Sequence, residues 1–195
     1  MRFLGVYDYT VILTYLSMLS ALTGILLSGE GMAGAAVNCL MLCGICDAFD
    51  GSVARTKKNR TEDEKNFGIQ IDSLCDAVSF GVFPALLSCR LGLDGVVGLA
   101  ICGAYCMCAV SRLAFFNVQE AKRQQQETGC RKTYRGLPVT SISVIYPLVF
   151  LLRGILPGGI FRVLLHLVMA VTAFLFVLDF SVKKPNFDKL LVKNK

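Results

Sequence analysis

The chain has 195 residues, of which 54% are hydrophobic and only 17% are charged, and its formal net charge is +6. Soluble domains usually carry about 25% charged residues, so this composition excludes an ordinary soluble enzyme and a basic nucleic-acid-binding scaffold. Every polar stretch is short and lies between apolar runs, which indicates one membrane domain over residues 1–195 and no nucleic-acid partner.

Six apolar segments have the roughly 20 residues that a helix needs to cross a bilayer. Glycine-containing turns separate these segments on one side of the membrane, and charged connections separate them on the other. The predicted fold is therefore an all-α integral membrane bundle of six transmembrane helices. The predicted helices cover residues 10–28, 32–54, 68–89, 95–116, 137–153 and 159–181.

The basic residues are distributed asymmetrically along this pattern. Sixteen of the twenty Lys and Arg residues lie near the N-terminus, in segments 55–65 and 122–135, or from residue 183 onward. Cytoplasmic connections of membrane proteins carry such an excess of positive charge. We therefore expect a protein of the cell membrane, embedded in the lipid bilayer, with both termini in the cytoplasm.

Four aspartates occupy the second and third predicted helices, where a charged side chain near the bilayer centre costs about 3 kcal/mol. Asp47 and Asp50 are three residues apart, and Asp72 and Asp76 are four apart, so each pair lies on one helix face. Because a helix rises about 1.5 Å per residue, the two antiparallel helices place both pairs at matching depths. The spacing therefore predicts one site built from four carboxylates.

Carboxylate oxygens without histidine or thiolate at the same spacing favour Mg²⁺ or Mn²⁺ over Zn²⁺. Several carboxylates this close are able to hold two ions, an arrangement suited to phosphoryl chemistry. The alternative is four separately paired structural acids, for which only Arg55 and Arg112 are available in nearby spans. We therefore expect a divalent metal site that faces the cytoplasm.

Small and basic residues surround the acids. Gly51 and Ala54 follow Asp50 on the same helix, and Gly68 begins the next one. Residues this small permit close helix packing or the close approach of a flat ligand. Arg55 lies at the rim of the predicted carboxylate site, where a guanidinium suits a phosphate of a substrate.

Together these residues resemble the signature of the CDP-alcohol phosphotransferase family. The signature takes the form Asp47-x-x-Asp50-Gly51-x-x-Ala54-Arg55, followed by Gly68-x-x-x-Asp72-x-x-x-Asp76. Twelve residues separate Arg55 from Gly68, more than is common in the family, so we expect a longer cytoplasmic turn at that point. The first helix keeps Thr14 of the family's Pro-Asn-x-x-Thr pattern and lacks the remainder.

The resemblance implies six helices, a homodimer, and a reaction in which an alcohol displaces CMP from a CDP-linked lipid. Asp76 would be the general base that takes the proton of the acceptor hydroxyl. The ligands of two divalent cations would be Asp47, Asp50, Asp72 and Asp76, and the CDP moiety would contact Asp50, Gly51, Ala54, Arg55, Gly68 and Thr14.

Three further stretches, residues 72–86, 111–117 and 136–140, resemble the bacterial phosphatidylserine synthase branch of that family. This resemblance implies CDP-diacylglycerol as the donor and L-serine as the acceptor. The carboxylate of serine calls for a cation near the acids, and Arg112 is the first candidate, with an ion pair to an aspartate as the alternative. The predicted acceptor-binding residues are Arg112, Asn117, Ser79, Lys132 and Arg135.

Other functions stay open at this point. Within the family, glycerol-3-phosphate or an inositol phosphate is an alternative acceptor, because Lys122, Arg123, Arg131 and Lys132 are able to meet a phosphate dianion. A divalent-cation transporter also places acids in membrane helices, but it needs a polar path, and the other four spans contain no deep acidic residue. A non-enzymatic membrane scaffold leaves the complete signature unexplained.

Overall fold

The computed structural model describes residue 5 and residues 9–54, 56–57, 59–126 and 133–183. Two predicted site residues, Arg55 and Lys132, lie outside the described residues. Across the described ranges the secondary structure is helical apart from one short two-stranded ribbon.

The α-helices follow one another as α1 (Ile12–Gly29), α2 (Ala33–Ala54), α3 (Glu62–Asp76), α4 (Phe83–Arg90), α5 (Gly95–Gln126), α6 (Ile142–Leu151) and α7 (Gly158–Val177). A π-helical turn, Ala77–Val82, joins α3 to α4 without a break. Short 3₁₀ turns lie at Tyr9–Val11, Val139–Ser141 and Leu152–Gly154. Strands β1 (Thr133–Arg135) and β2 (Ser181–Lys183) pair in antiparallel register, with Tyr134 opposite Val182.

Five helical stretches are long and apolar enough to cross a membrane, and they confirm the predicted all-helical membrane architecture. A further apolar stretch, Val139–Gly154, matches the predicted helix at 137–153 but is shorter than the other five. The count of six spans and the cytoplasmic position of the termini therefore stay predictions. The five long stretches are Tyr9–Gly29, Ala33–Ala54, Glu62–Arg90, Gly95–Ala121 and Gly158–Val177.

Helix α3 begins at Glu62, six residues before the predicted start at residue 68. The Thr61 hydroxyl accepts a hydrogen bond from the Glu64 amide at 3.2 Å, and the Glu64 carboxylate accepts one from the Thr61 amide at 3.1 Å. This reciprocal pair is a capping box, which satisfies two amides that a helix start leaves open. The sequence predicts the mixed-charge segment 56–66 as a solvated turn. In the structure the non-helical part of this segment ends at Thr61, and residues 62–66 belong to α3.

Helix α5 continues to Gln126, although the sequence predicts a helix only as far as residue 116. The added stretch contains neither Gly nor Pro and consists mainly of good helix formers. Helix α7 ends at Val177, before the predicted residue 181, because the chain then extends into β2 beside β1. The Gly136 amide also donates to the Phe180 carbonyl at 2.6 Å, so the ribbon fixes the entrance to α6 against the end of α7.

Helix α1 packs along α2 through a face of small and polar residues. The Ser20 hydroxyl donates to the Cys39 carbonyl at 3.0 Å, and the Cys43 thiol donates to the Ser17 carbonyl at 3.3 Å. Small residues of this kind let membrane helices approach closely, while the leucines of α1 remain exposed on the opposite face. The buried face of α1 consists of Thr14, Ser17, Ser20, Ala21, Gly24 and Ser28.

Helix α1 also approaches the beginning of α4 closely. A Cβ atom at Gly24 would overlap the ring of Phe83, which is fully buried, so only glycine fits at that position. This contact holds α1 against α4. Because α3, the π-turn and α4 form one continuous rod, the contact also fixes α1 relative to α3, which carries Asp72 and Asp76.

Candidate metal centre

The C-terminal part of α2 and the middle of α3 bring three of the four predicted ligands together. One carboxylate oxygen from each of Asp47, Asp50 and Asp72 lies within 4.8 Å of the other two. We call these three residues the carboxylate cluster. Asp76, the last residue of α3, lies one turn beyond Asp72 and is only 8% exposed. It does not belong to the set of carboxylates that lie within 4.8 Å of one another.

The carboxylate cluster fits a divalent cation. At an effective dielectric constant of about 20, two like charges about 4.8 Å apart repel by roughly 3.5 kcal/mol, so the cluster is costly without a counter-charge. Oxygen Oδ1 of Asp72 is buried and accepts no hydrogen bond from any residue in the described part of the chain. An orphaned carboxylate oxygen beside two further carboxylates provides the hard oxygen ligands that Mg²⁺ and Mn²⁺ prefer.

A cavity of about 150 Å³ lies beside the carboxylate cluster and is lined by Asp50 and Asp72. Its wall also contains each predicted CDP-binding residue that the structure describes. Small side chains therefore border the cavity next to two of the candidate metal ligands, as the sequence pattern predicts. These lining residues are Thr14, Asp50, Gly51, Ala54 and Gly68.

Two basic residues that the sequence analysis did not select, Arg60 and Lys65, also line this cavity. They were missed because the segment before residue 68 was predicted as a solvated turn. The pattern Thr61-x-x-Glu64 is the signal that could have found them, since a capping box there starts a helix and places Lys65 near Gly68. The lining of the cavity therefore combines acids from α2 and α3 with two basic residues, Arg60 just before α3 and Lys65 in its first turn.

Gly68 determines where the guanidinium of Arg60 lies. A Cβ atom at residue 68 would stand 2.7 Å from Nη2 of Arg60, closer than side chains approach one another. Nη2 donates to the Glu64 carbonyl at 3.1 Å, whereas the buried Nε has no hydrogen-bond partner among the described residues. An unsatisfied guanidinium N–H at a cavity wall is a donor for an anionic group of a ligand.

The predicted acceptor-binding residues are dispersed. Arg112 is 7% exposed, its Nε donates to the Leu137 carbonyl at 3.3 Å, and it lines a different cavity, of about 310 Å³, together with Asp179. Arg112 thus lines this second cavity and does not belong to the lining of the cavity beside the aspartates. The reason is local packing, because the 136–137 backbone and the end of α7 approach this part of α5.

Asn117 accepts a hydrogen bond from the Ser73 hydroxyl at 2.7 Å, and Ser73 is the residue after Asp72 on α3. Ser79 is fully buried, and the Ser17 hydroxyl donates to it at 3.4 Å, so its side chain contacts α1. Arg135 lies in β1 opposite Ser181.

Comparisons with known proteins identify the family and several relatives of the chain. The CDP-alcohol phosphatidyltransferase family model matches residues 9–178. The chain is 33% identical over 173 residues to a CDP-diacylglycerol–serine O-phosphatidyltransferase of Saccharomyces cerevisiae, which covers 83% of the chain and 61% of that relative. It is 37% identical over 133 residues to an archaetidylserine synthase of Methanothermobacter thermautotrophicus, which covers 66% of the chain and 53% of that relative.

A third relative is a CDP-diacylglycerol–serine O-phosphatidyltransferase of Helicobacter pylori, 28% identical over 151 residues, covering 75% of the chain and 58% of that relative. The chain thus spans between about half and three fifths of the length of these curated relatives. No solved structure shows significant similarity to the chain.

Asp72→Asn removes one negative charge from the carboxylate cluster and keeps the size of the side chain. We expect the dissociation constant for Mn²⁺ to rise by about tenfold or more, because a charged ligand contact contributes roughly 1.5–3 kcal/mol. Titration of the detergent-solubilised protein with Mn²⁺, followed by the electron paramagnetic resonance signal of the free ion, measures this change. Asp63→Asn is the matched control, since Asp63 is an exposed acid in the first turn of the same helix. Equal Mn²⁺ affinity in the two variants would contradict a metal site at the cluster.

Proposed function

The chain belongs to the CDP-alcohol phosphatidyltransferase family, and from that premise we propose that it transfers the phosphatidyl group of CDP-diacylglycerol to the hydroxyl of L-serine and releases CMP. The observation that carries the proposal is a carboxylate cluster beside a cavity whose lining also contains Arg60 and Lys65. A nucleotide diphosphate ester needs both, because cations neutralise its charge and basic side chains orient it. The serine-transferring relatives support serine as the acceptor.

The donor is bound at the small-residue wall. Thr14, Gly51, Ala54 and Gly68 leave backbone and cavity surface open to the CDP moiety, with Asp50 at the boundary to the metal ligands. Arg55, which continues the signature after Ala54, is proposed as a further contact to the phosphates. Bound between α1, α2 and α3, the pyrophosphate would lie beside Asp50 and Asp72 and near Arg60 and Lys65.

Two Mg²⁺ or Mn²⁺ ions, held by Asp47, Asp50, Asp72 and Asp76, would supply the positive charge that neutralises the pyrophosphate. Asp76 lies outside the close set of three, and this position supports a second role for its carboxylate. It is proposed to accept the proton from the serine hydroxyl oxygen as that oxygen attacks the lipid-side phosphorus and CMP departs. The burial of Asp76 limits the access of water to the same proton acceptor.

The acceptor-binding residues proposed from the sequence are Arg112, Asn117, Ser79, Lys132 and Arg135. The hydrogen bond to Ser73 places Asn117 beside α3 near the acids, which supports Asn117 over Arg112 as a direct contact. The complete burial of Ser79 supports a role in helix packing instead of acceptor binding.

In the membrane, we propose six spans, with Val139–Gly154 as the fifth, and a homodimer in the cell membrane with both termini and the active site on the cytoplasmic side. The basic segment 55–60 supports this orientation, because cytoplasmic connections carry an excess of Lys and Arg. The first turn of α3, which follows this segment, contributes Lys65 to the cavity. The lipid substrate would then reach the metal centre sideways from the inner leaflet.

The acceptor is tested directly with purified protein, CDP-diacylglycerol and Mn²⁺. We expect CMP release with L-serine and little with glycerol-3-phosphate or an inositol phosphate, because the chain shares three stretches with the serine branch and is similar to serine-transferring relatives. Chromatographic quantification of CMP and of the lipid product distinguishes the acceptors. CMP release only with a phosphorylated acceptor would contradict the serine assignment and keep the family reaction. Uptake of Mn²⁺ into proteoliposomes without nucleotide turnover would instead support a transporter.

Arg60 and Gly68 provide a second test, of the donor site. Arg60→Gln removes a charge-assisted contact and should raise the KM for CDP-diacylglycerol by about 10- to 100-fold. Gly68→Ala should raise the KM similarly, because the added methyl group displaces the guanidinium. The double variant should be no worse than Arg60→Gln, since both changes act through one contact.

The matched control is Lys57→Gln, which removes a cation from the same segment, where Lys57 pairs with Glu64 at 3.0 Å and does not line the cavity. Its KM should stay close to that of the unmodified protein. Fully additive effects of the Arg60 and Gly68 substitutions would show that Gly68 contacts the donor itself.

A further inference from the structure

The rod formed by α3 and α4 changes its helical pitch immediately after Asp76. In the π-turn Ala77–Val82, the Phe83 amide donates to the Val78 carbonyl, five residues back instead of four. Such a turn inserts one additional residue and so rotates the residues before it relative to those after it, by about 100° in a helix of 3.6 residues per turn. The direction in which the end of α3 presents Asp76 therefore depends on this turn.

Pro84 explains why the turn occurs at this point. Proline has no amide hydrogen, and its ring collides with the carbonyl four residues earlier in a regular α-helix. In this rod that carbonyl belongs to Phe80, so its oxygen has no helical donor from residue 84. A carbonyl left unpaired among fully buried side chains is costly in a membrane bundle.

Tyr105 donates a hydrogen bond to this carbonyl from a different helix. Its hydroxyl donates to the Phe80 carbonyl at 2.7 Å, and the side chain is completely buried on α5. The Tyr105 ring packs against the Phe176 ring of α7, with ring centroids 5.4 Å apart, and this packing restrains the orientation of the Tyr105 side chain. The next residue, Cys106, directs its thiol to the Gly81 carbonyl at 3.6 Å. Helix α5 thus contacts two successive carbonyls of the π-turn.

We infer that Tyr105 is a positioning residue for Asp76: its hydrogen bond to Phe80 stabilises the π-turn and so fixes the end of α3 toward the carboxylate cluster. Tyr105 does not contact the cluster cavity and acts only through the backbone of residues 76–82. The inference rests on the proposed function in assigning Asp76 to the metal site. The competing explanation is that Tyr105 merely satisfies a buried carbonyl.

The two explanations differ in what happens when residue 84 regains an amide hydrogen. In Pro84→Ala, the amide of residue 84 is able to pair with the Phe80 carbonyl in α-helical geometry. If Tyr105 merely satisfies that carbonyl, then the loss of its hydroxyl has no effect on the metal site once residue 84 is alanine, so Pro84→Ala and the double variant are alike in kcat and Mn²⁺ affinity. If Tyr105 stabilises the π-turn for the benefit of Asp76, Pro84→Ala alone keeps the metal site intact, whereas the double variant is stable but has an impaired metal site.

Tyr146→Phe is the matched control. Tyr146 is 1% exposed in α6, and its hydroxyl lies 3.0 Å from the Ser88 hydroxyl. The substitution therefore removes a buried, hydrogen-bonded tyrosine hydroxyl from the same bundle, at a position that does not touch the π-turn. Losses common to both tyrosine variants report general stability, whereas losses confined to Tyr105→Phe report the position of Asp76.

The experiment measures the thermal midpoint, the Mn²⁺ dissociation constant and kcat for CMP release in Tyr105→Phe, Tyr146→Phe, Pro84→Ala and the double variant Tyr105→Phe/Pro84→Ala. We expect both tyrosine variants to lower the midpoint. Only Tyr105→Phe should lower kcat, by roughly 10- to 100-fold, and weaken Mn²⁺ binding by about tenfold, with the KM for the lipid unchanged. In the double variant the midpoint should recover while kcat and Mn²⁺ affinity stay low.

Recovery of kcat and Mn²⁺ affinity in the double variant would overturn the inference, and so would equal losses in the two tyrosine variants. If Tyr105→Phe alone does not fold, the double variant still decides the question, because its Phe80 carbonyl is paired. Absence of CMP release by the unmodified protein would count against the proposed reaction, and the Mn²⁺ measurements would continue to test the positioning role independently.

Discussion

The mutual repulsion of Asp47, Asp50 and Asp72 opposes the close approach of α2 and α3. Their oxygens lie within 4.8 Å of one another between two helices of a membrane bundle, where carboxylates are poorly solvated. A divalent cation bound between these carboxylates would attract all three of them, and this attraction would outweigh their mutual repulsion. Metal binding and the stability of this helix pair are therefore linked, because a ligand that binds only the folded site stabilises it.

The remainder of the bundle holds the two helices close enough for such a site. Helix α1 presents a face of serines, threonine and glycine to α2 and to the rod of α3 and α4, and larger side chains would separate these helices. Two hydrogen bonds between α5 and the rod fix the rod in place. The Ser73 hydroxyl donates to Asn117 of α5, and the Tyr105 hydroxyl of α5 donates to the Phe80 carbonyl. These contacts flank Asp76 on its own helix, three residues before it and four residues after it. The aspartates of α2 and α3 are thus placed by neutral hydrogen bonds and small residues, and the charged side chains themselves do not have to hold the helices together.

The sequence was sufficient for the features that depend on local periodicity. Spacings of three and four residues placed the aspartates on common helix faces, and the cavity contains Thr14, Gly51, Ala54 and Gly68 as the signature predicts. Features that depend on contacts between distant residues could not be predicted. The buried position of Arg112 follows from the 136–137 backbone, and the π-turn carries a hydrogen bond between Phe80 and a tyrosine 25 residues later in the chain. Arg60 was missed for a different reason, because the capping box that places it was present in the sequence but was read as part of a solvated loop.

The central claim is that the aspartates of α2 and α3 form one divalent-cation site inside the bundle. Anomalous diffraction from crystals grown with Mn²⁺, recorded near the manganese absorption edge, tests it most directly. The account predicts anomalous density between Asp47, Asp50 and Asp72, with Asp76 at its edge, and loss of that density in Asp72→Asn crystals. Density only at other positions, or density that is unchanged in the Asp72→Asn protein, would contradict the account.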